Sequence, residues 1–402
     1  MRSNIARLPD EIWNRNGRSM MWHPNLFYEY WLSGLKRVAR NCRTATRRSR
    51  SGWSPPPILV VLRPTMQCNL ACRICYDRGE NVARSLWAEE DGVTRQELTT
   101  QQWCELIEAL AGFGPSFYIT GGEPLLSESL VPMIQAIKKR GLYVSLNTNG
   151  VLLEDRAAEL VESGIDRIIV SLDGPRDTHN RIRGESFDRL AKGVRLIRQL
   201  KQDKGASRPL IRAQCVISKF NIDQMEETVE EAERIGCREI RFQHPMFVFE
   251  REECEVGEFL QCLSTRVDLS RPLRQADDLD GSLVRTMVGR LVAGSLSRIK
   301  VGFEPALSDE DVEGYYDAPD HSFPDLCLSP WRRMDISPRG EMGPCQGVYL
   351  GRYPGTSPDT CWNGATFRAV RRHMLKNGLF RHCNRCCHRE YRKPNVFSLA
   401  VS

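Results

Sequence analysis

The 402-residue sequence contains no run of about 18 consecutive apolar residues, so the pattern of a membrane-spanning helix is missing. Its first twenty residues, MRSNIARLPDEIWNRNGRSM, lack the apolar stretch of a secretory signal, and the expectation is a cytoplasmic protein. No internal repeat or low-complexity block stands out. Aromatic residues do not interleave with basic ones as a base-stacking surface would require, which argues against nucleic acid as a partner. Without a secretory context, fifteen cysteines are poorly explained by disulfides. They read as thiolate ligands together with some buried spectators.

What is present is an ordinary globular composition, 41% hydrophobic and 27% charged, in a chain long enough for more than one domain. The net charge of +6 is uneven. Residues 1–56 carry eleven basic side chains against three acidic ones, and seven of the basic residues fall between Lys36 and Arg50. Such a segment is either a docking arm for an acidic partner, a phosphate or a membrane surface, or a solvated leader.

After Pro55-Pro56-Pro57 the chain alternates. Short apolar runs (ILVVLR 58–63, SFYIT 116–120, YVSLN 143–147, RIIVS 167–171, IRAQCVI 211–217, EIRFQ 239–243) alternate with amphipathic helical patterns such as TTQQWCELIEALAGF and FDRLAKGVRLIRQLK. Six repeats of strand and helix predict parallel strands joined by right-handed crossovers, in a doubly wound sheet or an incomplete α/β barrel. Each chemically distinctive stretch follows a strand: three cysteines after 58–63, GGEP (121–124), NTNG (147–150) and SLDG (171–174). In a barrel those strand ends share one face.

The cysteines Cys68, Cys72 and Cys75 are spaced C-x3-C-x2-C and then stop. A zinc site would need a fourth ligand, for which His179 or His244 is available. A [4Fe–4S] cluster held by three thiolates instead keeps one iron open for a small molecule.

Taken with GGEP, NTNG and SLDG in that order, the cysteine motif resembles the radical S-adenosylmethionine (radical SAM) enzymes over residues 58–245. The resemblance implies a partial (β/α)6 TIM-like barrel and a [4Fe–4S] cluster on Cys68, Cys72 and Cys75. Its open iron would take the amine and carboxylate of S-adenosylmethionine, which reductive cleavage turns into methionine and a 5′-deoxyadenosyl radical. By the same resemblance Gly121, Gly122 and Glu123 face the methionine, and Ser171, Asp173 and Arg183 bind the ribose hydroxyls or the carboxylate, with Asn149 as a further candidate. Backbone at Tyr76 and apolar contact from Val216 and Ile217 would hold adenine. The electron would come from a reductase with flavodoxin or from ferredoxin. One departure is Ile74, at a position that is often aromatic in the family.

Towards the C-terminus, Cys327 and Cys345 flank a hairpin pattern, MDISPRGEMGP, and HCNRCC supplies Cys383, Cys386 and Cys387. This spacing resembles the SPASM extension or its shortened twitch form, and implies one auxiliary [4Fe–4S] cluster on Cys327, Cys345, Cys383 and Cys386. Cys387 competes with Cys386, and a four-cysteine zinc site competes with the cluster. The expected organisation is a basic extension (1–56), a radical SAM core (57–245), a connecting region (246–326) whose EPALSDEDVEGYYDAPDHSFPD reads as a polar connection, and an auxiliary-cluster domain (327–402). The helix around 361–380 carries Arg368, Arg371 and Arg372, read as a solvated face in preference to a contact for an anionic substrate.

The expected function is an oxidoreductase or epimerase acting on a small aminocyclitol- or sugar-like molecule. The alternative is maturation of a ribosomal peptide or protein side chain. Relatives that modify peptides often carry a leader-binding domain longer than the 56 residues found here. A metal-stabilised nucleic-acid-binding protein is the reading from another class. No catalytic base or hydrogen donor is identifiable; Gln243, His244 and Asp173 are placed near the barrel mouth, and Cys215 and Cys237 are read as buried spectators or thiol donors.

Overall fold

The apolar runs become strands of one sheet because each has one face rich in Val, Ile, Leu and Phe. The computed structural model describes residues 51–75, 96–248, 273–274, 279–294, 298–318, 321, 323, 327–345, 348–380 and 383–389. Tyr76 and the Lys36–Arg50 segment lie outside these residues. Strands β1 (Leu59–Leu62), β2 (Ser116–Ile119), β3 (Val144–Thr148), β4 (Arg167–Ser171), β5 (Leu210–Val216) and β6 (Glu239–Gln243) lie side by side in chain order, all parallel. Between them run α1 (Thr100–Ala111), α2 (Leu130–Lys139), α3 (Ala157–Glu162), α4 (Arg176–Arg183), α5 (Phe187–Asp203) and α6 (Met225–Ile235).

Helix α1 starts at a capping box in which the Thr99 hydroxyl accepts from Gln102 N and the Gln102 side chain accepts from Thr99 N. Its Trp103, Leu106, Ile107 and Leu110 form the apolar stripe that meets the sheet. Alternate strand residues (Val60, Leu62, Phe117, Ile119, Val144, Leu146, Ile168, Val170) enter the same core. The period of two then sends the intervening side chains, among them Arg63, Tyr118, Asn147, Arg212, Gln214, Arg241 and Gln243, to the other face of the sheet.

The sheet is wider than the six repeats suggest. Strands β7 (Phe247–Val248) and β8 (Leu273–Arg274) form a separate parallel pair. β9 (Lys300–Glu304) pairs in parallel with β6, and β10 (Arg333–Ile336) pairs in parallel with β1. The hairpin pattern of the sequence becomes β10 and the antiparallel β11 (Glu341–Gly343), followed by β12 (Gly351–Arg352). The edge strands β9 and β12 do not pair with each other among the described residues, so the barrel is open.

Helix α7 (Gly281–Ala293) follows β8, capped by Asp280 and ended by Gly294. Two local expectations need revision. The stretch read as a polar connection forms α8 (Asp309–Asp317): Ser308 caps it, acidic residues fill its first turn, and Val312, Tyr315 and Tyr316 are buried at helical spacing. After α9 (Ser329–Arg332) and α10 (Pro358–Trp362), helix α11 (Ala365–Asn377) carries the arginines read as solvated. Arg371 is instead fully buried. It stacks 4.2 Å over Trp362 and donates to the carbonyls of Pro330 and Gly52, while Arg368 and Arg372 donate to the Ser51 carbonyl. Three cations thus anchor the chain just ahead of β1, and burial lowers the Arg371 pKa to about 9.

Candidate active site

The loop after β1 carries Cys68, Cys72 and Cys75, and the GGEP turn after β2 holds it from below. Gly122 N donates to Thr65 O at 3.0 Å and Glu123 N to Gln67 O at 2.8 Å. A Cβ on Gly122 would overlap the carbonyl oxygens of Met66 and Gln67, and one on Gly121 that of Thr65. The close approach that the two glycines permit is therefore to the segment leading into Cys68. Gly121 also has a positive φ of 136°.

Glu123 is fully buried, and its carboxylate accepts from Leu125 N, Thr148 Oγ1 and Asn149 N at 2.7–3.0 Å. Burial pushes its pKa up against those hydrogen bonds. Asn149, at the end of β3, donates through Nδ2 to Asn69 Oδ1 at 2.8 Å and sits 3.9 Å from Cys68 Sγ. After β4, Asp173 has both carboxylate oxygens engaged: Val216 N donates to Oδ1 at 2.9 Å, and Arg183 Nε donates to Oδ2. Arg183 Nη1 lies 3.7 Å from Cys72 Sγ. Burial acts against the Arg183 charge, but Asp173, Cys72 and Cys75 outweigh it and its pKa is raised. Burial pushes the Cys72 thiol up, and Arg183 opposes the shift. The loop is tied down by Arg73 N to Ile182 O and Cys75 N to Cys72 O.

Ser171 lies at the end of β4 opposite Gln214. Val216 is half-buried beside Asp173, while the Ile217 side chain packs into the main core. His179 is buried and held neutral, its pKa lowered to about 4 by burial and by Arg183. His244 is engaged elsewhere: its Nδ1 is 2.7 Å from the Tyr316 hydroxyl inside a cluster with Phe303 and Tyr315. Cys215 and Cys237 are core residues.

A second set of thiols gathers beside β10 and β11. Cys345, Cys383 and Cys386 are half-buried beside the buried Cys327, and desolvation pushes their thiols up, with neighbouring thiols adding to the shift. Cys386 reaches about 11. Cys387 does not share this grouping alone: its side chain also meets Gln243 and lies near Arg333 and Glu304 on the inner face of the barrel. Among the described residues no group of three or more His, Cys, Asp or Glu side chains is drawn tightly enough to hold a metal ion. The donor chemistry is nonetheless suited to one, since thiolates that repel one another when charged favour a positive centre, whether iron–sulfur or zinc.

The inner face of the barrel is charged, a feature that the apolar strand runs concealed. Asp335 accepts from Arg63 Nη1 at 2.7 Å and from Arg333 Nε and Nη2. Glu304 lies 3.4 Å from Arg241 and 3.7 Å from Arg212, and Gln214 Nε2 donates to Gln243 Oε1 at 2.7 Å. Tyr118 sits among Arg212, Glu304 and Arg333, and burial pushes its pKa up. Asn147 Oδ1 and Arg212 Nε are buried with no hydrogen-bond partner among the described residues. Polar residues at alternate positions of IRAQCVI, EIRFQ and RMDIS were the available signal.

Comparison with known proteins agrees with this geometry. Residues 62–232 match the family model of the Radical SAM superfamily, and residues 327–387 match that of SPASM, an iron–sulfur cluster-binding domain. A probable GTP 3′,8-cyclase of Methanopyrus kandleri is 44% identical over 28% of this chain and 34% of its own length. An AdoMet-dependent heme synthase of Methanosarcina barkeri is 32% identical over 45% of this chain and 48% of its own. The chain thus spans about half or less of the length of these curated relatives. The fold matches the crystal structure of Streptococcus suis SuiB bound to S-adenosylmethionine (TM-score 0.57, 14% identity, 92% of this chain and 78% of that one). It also matches anSMEcpe with bound AdoMet (TM-score 0.52, 17% identity, 82% and 85%). No helix among the described residues is long and apolar enough to cross a membrane. With a cysteine-bearing parallel sheet matched to one model and the C-terminal thiols to the other, residues 62–232 form a radical SAM domain and residues 327–387 a SPASM domain.

Proposed function

We propose that the protein is a radical SAM oxidoreductase that abstracts hydrogen from a polar small molecule held in the barrel. Cys68, Cys72 and Cys75 would hold a [4Fe–4S] cluster with one open iron, and Cys327, Cys345, Cys383 and Cys386 one auxiliary cluster. With S-adenosylmethionine bound, the first cluster supplies reductive cleavage to methionine and a 5′-deoxyadenosyl radical, using an electron from a flavodoxin-, ferredoxin- or reductase-type donor. The observation that carries this reading is the convergence of Cys68, Cys72, Glu123, Asn149 and the Asp173–Arg183 pair at one end of the sheet.

Each residue has a task that its surroundings support. Arg183 spends Nε on Asp173 and directs Nη1 to Cys72, leaving Nη2 for a carboxylate. Among the described residues Glu123 Oε2 accepts only from Asn149 N and retains capacity for an ammonium group. Gly121 and Gly122 fix the turn that presents it, and Ser171 and Asp173 lie within the same rim. Val216, with Tyr76, forms the remaining cofactor set, and Ile217, expected to join it, lies with its side chain in the core behind.

A substrate with hydroxyl and amino groups, of aminocyclitol or sugar type, suits the inner face, where Gln214, Gln243, Glu304, Tyr118 and the unpartnered Asn147 Oδ1 offer hydrogen bonds. Dehydrogenation or epimerisation are the reactions this allows. A peptide substrate is the second reading. The basic Lys36–Arg50 segment suits an acidic leader, and a related fold, SuiB, has been seen bound to its precursor peptide SuiA.

Anaerobic reconstitution, iron counting and an assay for 5′-deoxyadenosine under reductant test the reading. About eight irons per chain and nucleoside release support it. Zinc in place of iron with no nucleoside released refutes it. Deuterium carried into 5′-deoxyadenosine from a labelled aminopolyol, and not from a peptide, separates the two substrate classes.

A further inference from the structure

Arg63, Asp335 and Arg333 form a buried ionic triad with one carboxylate between two guanidinium groups. Asp335 is fully buried, and Arg63 and Arg333 expose 4% and 5%. Every member is placed by strand pairing: β1 and β10 run in parallel with Leu59 opposite Arg333 and Val61 opposite Asp335, and Arg63 follows on β1. Burial alone would raise the Asp335 pKa, but Arg333 and Arg63 hold it down to about 2, so all three groups are charged and one positive charge is left over. The next ionic group along the inner face does not cancel it, because Arg212 and Arg241 are matched there by Glu239 and Glu304.

A surplus buried cation is costly unless something negative lies beside it. Register supplies the neighbour. Asp335 pairs with Gly343, two residues before Cys345, so the hairpin that carries the triad also carries a thiol of the C-terminal set. Apart from Asp335, the negative-forming groups that face Arg333 include the Cys345 and Cys386 thiols, with the Cys387 thiol and the Tyr118 hydroxyl also near it. A [4Fe–4S] core bound by four thiolates is net negative, and more so when reduced.

We propose that the Arg63–Asp335–Arg333 triad supplies the counter-charge for the auxiliary cluster and sets its reduction potential upward. This rests on the assignment of Cys327, Cys345, Cys383 and Cys386 to a cluster. Positive charge near a cluster stabilises its reduced form, and net charge is one of the levers on cluster potential. Asp335 acts in the opposite sense, since it offsets part of the arginine charge. The three are positioning residues, because none of them ligates iron.

The test is an EPR-monitored redox titration of the reconstituted full chain carrying Cys68→Ala, Cys72→Ala and Cys75→Ala, so that a single cluster is followed. Arg333→Gln and Arg63→Gln should lower its midpoint potential, Asp335→Asn should raise it, and Arg333→Lys should leave it close to the parent value. The opposite signs distinguish electrostatics from structural damage, which gives weaker cluster loading or broadening without a sign change between variants. Where Arg333→Gln does not load iron, the pair Arg63→Gln and Asp335→Asn still reads the sign. An unmoved midpoint, or Arg and Asp variants that move together, overturns the proposal. A parent that binds no iron at the C-terminal cysteines overturns both the proposal and the second cluster of the functional reading, whereas iron with an unresponsive midpoint overturns the proposal alone.

Discussion

Arg183 bridges Asp173 and Cys72: its Nε donates to the Asp173 carboxylate and its Nη1 approaches Cys72 Sγ at 3.7 Å. The pair joins the loop after β1 to the end of β4, and Asp173 Oδ1 extends the link to Val216 on β5. Three strand ends are therefore registered by one carboxylate and one guanidinium.

Arg183→Gln should uncouple that registration. It leaves Asp173 buried with a hydrogen bond from Val216 N but no counter-charge, a loss of about 3 kcal/mol or more in folding stability. Loss of a charge-assisted hydrogen bond to the cofactor, worth about 1.5–3 kcal/mol, should slow 5′-deoxyadenosine release roughly ten- to hundredfold. Urea denaturation and single-turnover nucleoside assays measure the two effects. Full activity at reduced stability would remove Arg183 from the cofactor set.

Cys386 and Cys387 are adjacent but differently placed. Cys386 lies with Cys327, Cys383 and Cys345, whereas Cys387 turns towards Gln243 and Glu304. Cys386→Ala should reduce the iron content from about eight to about four per chain, and Cys387→Ala should retain about eight. Iron analysis of the two reconstituted variants decides between them, and the reverse result would exchange their roles.

Much of this arrangement could be read before any coordinates. The apolar strand runs and the amphipathic helical patterns between them specify β1 to β6, because a strand buried under helices needs a continuous apolar face. The Pro-Arg-Gly turn specifies the β10–β11 hairpin for an equally local reason. What could not be read is long range. That Lys300–Glu304 would extend β6 and Arg333–Ile336 would flank β1 depends on partners 61 or more residues away, and nothing local in a strand of four or five residues names its neighbour. Arg371 looked solvated since an isolated arginine on a helix gives no hint of the Gly52 and Pro330 carbonyls that bury it. The charged inner face was masked in the same way. Arg212 and Arg241 stand in runs whose other positions fill the core, so the hydrophobic signal dominated.

Gly122→Ala should affect the cysteine loop rather than the core. The added Cβ would meet the carbonyl oxygens of Met66 and Gln67, which belong to the backbone leading into Cys68 and cannot swing away as a side chain would. The turn hydrogen bonds Gly122 N to Thr65 O and Glu123 N to Gln67 O should weaken with it. The expected result is loss of about four irons with the C-terminal cluster retained, together with loss of nucleoside release. Absorbance and iron analysis check it, and an unchanged iron content would show that the turn tolerates the methyl group.

His244 gives the fold a pH dependence of known sign. It is fully buried against Tyr316, and burial lowers its pKa from 6.5 to about 3. Below pH 6.5 the unfolded chain takes up a proton that the folded protein refuses until about pH 3, so the stability present above 6.5 is lost as pH falls through this window. The loss approaches about 1.4 kcal/mol per pH unit for one such group. His244→Gln keeps a hydrogen-bonding partner for the Tyr316 hydroxyl but cannot titrate. Between pH 7.5 and pH 5.5 the variant should therefore lose about 1.4 kcal/mol less than the parent protein. The comparison is a difference of denaturation free energies, in which His179, with its own depressed pKa, contributes equally to both proteins and cancels. Equal losses in the two would mean that His244 accepts a proton in the folded state, and that its ring is less enclosed than the Phe303, Tyr315 and Tyr316 cluster implies.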